Sequence, residues 1–348
     1  MDILFISPVK YYEFLQQRHQ CLAEQMVKRG HRVIYVDPFS SNGLSISVKD
    51  DNSGLIVVSG ALPFKSSKFP KIQKYSVRLA LFLLIKRLHL VIKNTVLWLA
   101  EPAYAELTMF KWAKIIYDCC DLHGAFPGQN KEIWKCYEDM ILSNADKLVV
   151  SHPYLRERLD EKNVKKCVLL PNATSLKSIE RNCKNYDSSK IRLISSGAHY
   201  EWIDIEWLKM LASHERVELN IAGTGRGSAF EELLKMKNVI YYGKLNQDKL
   251  LSLMLHCDVG LVPFKDIELI KAVDPIKVYD YAACGLKIWA PDISALYCNK
   301  YITSFIKNTD DIEKAILKAF SQSQKPTGLI VPTWDHRAKS IMNEAFGL

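Results

Sequence analysis

The chain has 348 residues, 48% hydrophobic and 24% charged with 15 Gly and 13 Pro, a composition that supplies folded cores and excludes fibrous or disordered classes. Its formal net charge of +9 comes without a nucleic-acid-binding motif, so no nucleic-acid partner is expected, and no run reaches the roughly 18 apolar residues of a membrane span. Nine cysteines, an odd number without CxxC, fit reduced thiols, and the opening MDILFISPVK is too short in apolar residues for a signal peptide; both point to a cytoplasmic protein.

From the N-terminus, the β-branched run ILFIS precedes the helical pattern QQRHQCLAEQMVKRG and the run RVIYVDP. Strand and helix alternating in this way predict a parallel sheet with right-handed crossovers. The first helix closes at Gly30, with Lys28 and Arg29 in its last turn, where cap and dipole preferences agree. Arg18 and His19 open that helix directly after the loop leaving the first strand, a place for acceptor or phosphate contacts or for plain solvation.

Between Asp51 and Glu101 there is no acidic residue, but eight basic ones: Lys65, Lys68, Lys71, Lys74, Arg78, Lys86, Arg87 and Lys93. They flank the helical apolar run SVRLALFLLIKRLHLVI. Residues 65–93 thus have the make-up of a surface that docks on anionic lipid headgroups, the alternative being a helix packed on the sheet with a solvated face. VLWLA, the helix-like EPAYAELTMF, KIIYDCC, KEIWKCYEDMILSNA, KLVVS, a helix around HPYLRERLDEKN, and CVLLPN complete a first α/β half over residues 1–172.

Residues 173–189 are polar and aperiodic and read as a linker. Alternation restarts with RLISSG and runs through VELNIAG, VIYYG, VGLVPF and LKIWAP with helices between them, a second Rossmann-like half over residues 190–330. A last helix, about Trp334 to Phe346 within residues 331–348, is placed to cross back to the first half.

Ligands of parallel sheets bind beyond the carboxyl ends of strands, where helix N-termini present free N–H groups. In DPIKVYDYAACG, Asp274 suits the N-cap, Pro275 the first helical position and Gly285 the position after the C-cap. Lys277 then sits in the first turn against the helix dipole, a conflict that a bound diphosphate resolves. Asp280, three residues on, is suited to ribose hydroxyls, or to an ordinary ion pair with Lys277. In IAGTGRG, Gly223, Gly225 and Gly227 form either a phosphate-cradling turn, with Arg226 at the nucleotide, or simply a tight turn; neither the Walker nor the full dinucleotide pattern is present.

In the first half, IIYDCCDLHGAFPG sets Asp118, Asp121 and His123 at or beyond a strand end. Each is a candidate catalytic group, Asp121 first as general base; Asp118 as a helix cap and His123 as a plain loop residue are the alternatives. If configuration is retained, the departing phosphate oxygen takes the proton and His123 steadies the sugar. Cys119, Cys120 and Cys284 read as core. There is no DxD and no His or Cys pair at ligand spacing, so neither metal nor cofactor is expected.

The segment VGLVPFKDIELIKAVDPIKVYDYAACGLKIWAPD resembles the donor-binding segment of family 4 and related GT-B glycosyltransferases, as do QQRHQCLAEQMVKRGHRVIYVDP, SHPYLRERLDEKNVKKCVLLPNAT and TWDHRAKSI. The resemblance implies two Rossmann-like domains facing across a cleft, the first binding acceptor and the second donor. It implies glycosyl transfer from a nucleoside diphosphate sugar, UDP-sugar favoured and GDP-sugar possible, to a saccharide or lipid-linked saccharide in cell-surface polysaccharide synthesis. By position Lys277 resembles a diphosphate contact, Asp280 the ribose acid, Gly197 the glycine of the diphosphate loop, and Tyr241, Tyr242 and Lys244 the loop beside the base. Asp280 stands where glutamate is usual, and Ala272 where an upstream glutamate is. The alternatives are a sugar-nucleotide epimerase of the same fold and a non-catalytic, membrane-associated partner of a transferase.

Overall fold

A computed structural model describes residues 1–13, 16–41, 43–62, 70–176, 190–321 and 330–346. Most of the expected linker (177–189), together with Lys65 and Lys68, lies outside the described residues. The chain divides into two compact units: Met1–Pro171 with Ala272–Asp274 and Trp334–Leu348, and Asn172–Lys271 with Pro275–Thr333.

In the first unit β1 (Asp2–Ile6) leads to α1 (Arg18–Lys28) and β2 (Arg32–Val36); Gly30 takes φ +81° after the helix, a conformation that favours glycine. Next come β3 (Ser40–Ser41), β4 (Ser45–Asp50), β5 (Leu55–Leu62), α2 (Pro70–Leu88), β6 (Thr95–Leu99) and β7 (Lys114–Cys119). The unit continues with α3 (Lys131–Asn144), β8 (Lys147–Val150), α4 (Pro153–Glu157), α5 (Glu161–Lys165) and β9 (Cys167–Leu169). The sheet runs β3-β5-β2-β1-β6-β7-β8-β9, with β4 antiparallel on β5. The sheet is parallel as expected, with this one antiparallel strand added at its edge. β4 alternates exposed and half-buried residues, SISVKD, as suits an edge strand with one wetted face. EPAYAELTMF is a 3-10 segment from Pro102 to Met109 rather than an α-helix, and the single helix expected around HPYLRERLDEKN is two, α4 and α5.

The strands β1 and β6 are buried along nearly their whole length, as strands covered on both faces must be. Leu4, Ile34, Val58, Leu97 and Ile141 belong to one core, against which α2 lays Val77, Ala80, Leu81 and Leu84.

The second unit comprises β10 (Ile191–His199), α6 (Ile205–Ala212), β11 (Val217–Gly225), α7 (Ser228–Leu234), β12 (Val239–Gly243), α8 (Gln247–His256), β13 (Val259–Leu261), α9 (Ile276–Ala283), β14 (Lys287–Pro291), β15 (Ser304–Ile306) and α10 (Thr309–Ser321). Its sheet is β12-β11-β10-β13-β14-β15, all parallel among the described residues. Leu193, Leu219, Val259 and Ile288 are fully buried, and Asp204 and Asn246 cap α6 and α8 through backbone N–H groups three residues on. The last helix, α11 (Trp334–Ile341), continues as a π-turn to Phe346 and groups with the first unit, where Arg29 pairs with Asp335 at 2.8 Å.

Candidate active site

Each sheet has one place where strand order reverses: between β1 and β6 in the first, between β10 and β13 in the second. Loops leaving the carboxyl ends of two such strands diverge, which is where open α/β sheets bind ligands.

In the second unit β10 delivers Gly197 and His199 to this point, β13 is followed by Phe264, and α9 begins there. The helix starts one residue later than expected. The Pro275 carbonyl accepts the Val278 N–H at 3.0 Å, so Pro275 rather than Asp274 is the N-cap and Ile276 is the first helical residue. Asp274 groups instead with the first unit, where its charge helps keep Arg18 protonated. Gly285 follows the C-cap with φ +70°.

Lys277 is the second residue of α9. Its Nζ lies 3.6 Å from where a Cβ on Gly197 would stand and 5.7 Å from the centre of the Phe264 ring. It has no hydrogen bond or ion pair among the described residues, and burial pulls its pKa down to about 8. Gly197 (φ +109°) and Gly223 (φ +123°) sit side by side on β10 and β11, and a Cβ on Gly223 would run into the Gly197 carbonyl. Glycine is therefore required there for the two backbones to pass. Beneath the turn, the Tyr281 hydroxyl accepts the Ser196 N–H at 3.0 Å and meets Ser196 Oγ at 2.8 Å, tying α9 to β10.

Asp280 does not pair with Lys277. It accepts a hydrogen bond from Thr174 Oγ1 at 2.6 Å, and burial raises its carboxyl to about 6. Arg226 is exposed, paired with Glu201 at 2.5 Å and stacked over Tyr200. Tyr241 donates to the Gly223 carbonyl at 3.0 Å, whereas Tyr242 turns to Asn220 and, with Arg192, Lys249 and His256, lines a separate pocket of about 630 Å³. Lys244 is exposed in the turn after β12. One group went unnoticed in the sequence: His199, bonded through Nε2 to Ser195 Oγ at 2.8 Å and stacked on Phe230. Burial, then the nearby Lys277 ammonium, lowers it to about 4, so its imidazole is neutral at pH 7. The i, i+4 spacing of Ser195 and His199 on a strand, which places both on one face, was the available signal.

In the first unit the Arg18 guanidinium meets the Asp118 carboxylate through Nε at 3.1 Å and Nη2 at 2.9 Å, while Nη1 donates to the Leu170 carbonyl at 2.8 Å. Trp98 Nε1 adds a donor to Asp118 at 3.3 Å, and both charged side chains are fully buried. Burial is the largest influence and opposes the charge on Arg18, but Asp118, Cys120 and Asp274 together outweigh it and the pKa rises. Arg18 and Asp118 are thus held by each other, and the next helical turn begins at Leu122 rather than being capped by Asp118. Beside them His19 touches Cys120 Sγ through Nε2 at 3.5 Å, and burial lowers it to about 4. His19, Asp118 and Cys120 lie close enough to share an ion, but the one anion among them already holds a guanidinium, which repels a cation.

Asp121 and His123 are both half-buried. Burial raises the Asp121 carboxyl to about 7, with the Arg18 charge opposing, and lowers His123 to about 4, aided by His19. His123 stacks on Trp134 with ring centres 5.3 Å apart and leaves Nε2 buried without a hydrogen-bond partner among the described residues. A carboxyl poised near neutral pH and an imidazole with an unsatisfied nitrogen are the groups a reaction uses, and they stand two residues apart.

Two parallel-sheet α/β units of this kind constitute the GT-B architecture of glycosyltransferases. The chain is 25% identical over 211 residues to the putative teichuronic acid biosynthesis glycosyltransferase TuaH of Bacillus subtilis; the match covers 54% of this chain and spans about half (53%) of that relative. Its fold is shared with sucrose-phosphate synthase from Thermosynechococcus elongatus (TM-score 0.71, 15% identity, covering 100% of this chain and 94% of that one). It is also shared with an E. coli structure titled trehalose-6-phosphate bound with UDP-2-fluoro glucose (TM-score 0.59, 11% identity, 100% and 95% covered). No family model matches the chain.

Proposed function

We propose that the protein is a glycosyltransferase that moves a sugar from a nucleoside diphosphate donor, UDP-sugar in the first place, to a hydroxyl of a saccharide or lipid-linked saccharide during assembly of a cell-surface polysaccharide. The observation that carries the proposal is the desolvated Lys277 ammonium, without an ion pair among the described residues, beside the Gly197 and Gly223 turn. An unpartnered cation in that setting is costly unless an anion joins it. The diphosphate supplies that anion, and negative charge grows on it as the bond to the sugar breaks, so Lys277 stabilises the transition state more than the ground state. Asp280, steadied by Thr174, receives the ribose hydroxyls. In an inverting reaction Asp121 takes the acceptor proton; in a retaining one the departing phosphate oxygen takes it and the neutral His123 holds the sugar. The lysine and helix dipole together take the role a divalent ion plays elsewhere, and a metal-independent reaction at the cytoplasmic face of the membrane belongs to the same proposal. The relative named for teichuronic acid biosynthesis and the UDP-sugar in a structural neighbour favour this donor and product class.

Thermal shift with UDP, UDP-glucose, UDP-glucuronate and GDP-mannose provides the test. A donor held at 100 times its Kd raises stability by about 2.7 kcal/mol, and Lys277→Ala abolishes that gain. A shift unchanged in the variant refutes the diphosphate assignment, and conversion of free donor without acceptor points to an epimerase.

A further inference from the structure

Helix α2 packs Gln73, Val77, Ala80, Leu81, Leu84 and Leu88 into the first unit, yet it is apolar on its opposite side as well. Ile72, Tyr75, Leu79 and Phe82 are exposed, Tyr75 by 63% and Phe82 by 52%, and at about 100° per residue they fall with Lys86 inside about 80° of arc, opposite the core face. Lys74, Lys86, Arg87 and Lys93 have no carboxylate partner among the described residues; Arg78 is held by Glu106. Lys74 and Lys86 lie over the rings of Tyr75 and Phe82, so aromatic and cation are presented together.

We propose that this outer face of α2 is a docking surface for an anionic lipid bilayer, with Ile72, Tyr75, Leu79 and Phe82 entering the headgroup boundary and the flanking cations meeting lipid phosphates. The inference is independent of the donor chemistry. An apolar stripe set in a stretch without acids matches a surface that is apolar within and negative without. A second copy of the chain fits poorly, because isologous pairing through this face sets the same unpaired cations against one another.

Co-flotation of the full chain with phosphatidylglycerol/phosphatidylcholine vesicles, and with phosphatidylcholine alone, reads the proposal directly. Binding to the anionic vesicles is expected, weakened by high salt and at least roughly tenfold stronger than to neutral ones, since each cation near such a surface contributes about a fivefold gain. Tyr75→Ser/Phe82→Ser and, separately, Lys86→Glu/Arg87→Glu each lower partitioning at least roughly tenfold while leaving the melting temperature and any nucleotide-induced shift unchanged. Absence of binding at low salt, equal binding to neutral vesicles, or a dimer in sedimentation velocity that the Tyr75→Ser/Phe82→Ser variant dissolves overturns it. A failed nucleotide shift alongside intact flotation refutes only the transferase reading.

Discussion

Arg18 in the first unit, fully buried, and Lys277 in the second, half-buried, are both cations near the carboxyl ends of a parallel sheet, and they differ in their partners. Arg18 has a bidentate carboxylate and a carbonyl within hydrogen-bond distance, whereas Lys277 has neither among the described residues. A desolvated charge with its partners supplied needs nothing further; one without them gains from any anion brought to it. The two cations therefore respond to mutation in opposite ways.

The largest effect is expected at the scaffold pair. Asp118→Ala strands the Arg18 guanidinium and costs about 3–5 kcal/mol, read as the urea midpoint, with the double variant Arg18→Met/Asp118→Leu recovering much of the loss. If Asp118→Ala leaves the midpoint in place, the pair is not a brace. Lys277→Met behaves conversely: removal of a half-buried charge with no partner among the described residues leaves the urea midpoint equal or higher, while kcat falls about 10²–10³-fold. A destabilised Lys277→Met protein with normal kcat dissolves the contrast.

A smaller, pH-dependent effect belongs to Asp121. In the fold its carboxyl titrates at about 7, against about 3.9 in an unfolded chain. Between about pH 4 and pH 7 the native state thus holds a proton that the unfolded chain has lost, so stability declines as pH rises through that window. Asp121→Asn removes that decline, and if Asp121 is the base, kcat of the parent protein climbs as pH approaches 7. A pH slope identical in the variant assigns it to other groups. Smallest is Arg226→Gln, which breaks the exposed, solvent-screened contact with Glu201 and leaves the urea midpoint almost unmoved. A loss of nucleotide affinity in this variant moves Arg226 back among the donor contacts.

Much of the architecture was legible because it is local. Alternating strand and helix patterns, Gly30 and Gly285 at helix ends, and a lysine set against a helix dipole each declare themselves within a few residues. The cap at α9 slipped by one position because Asp274 and Pro275 both suit a helix start and only the Val278 hydrogen bond decides between them. The β4 and β5 strands were missed since their pairing, Ser45 with Ala61 through Asp50 with Ile56, is visible only across the turn. Among site residues, Lys277 and Asp121 stood out by position and chemistry. The pairing of Arg18 with Asp118 was not legible because it spans a hundred positions of chain, and no spacing rule reaches that far.

That same contact bears on how the protein emerges from the ribosome. Arg18 needs Asp118 from the middle of the first unit and the Leu170 carbonyl from its last strand region, a separation of 152 residues. A nascent polypeptide lacking Leu170 leaves one guanidinium N–H without its carbonyl however well the early strands have paired, so the Arg18 contact is completed only once the chain has grown past residue 170.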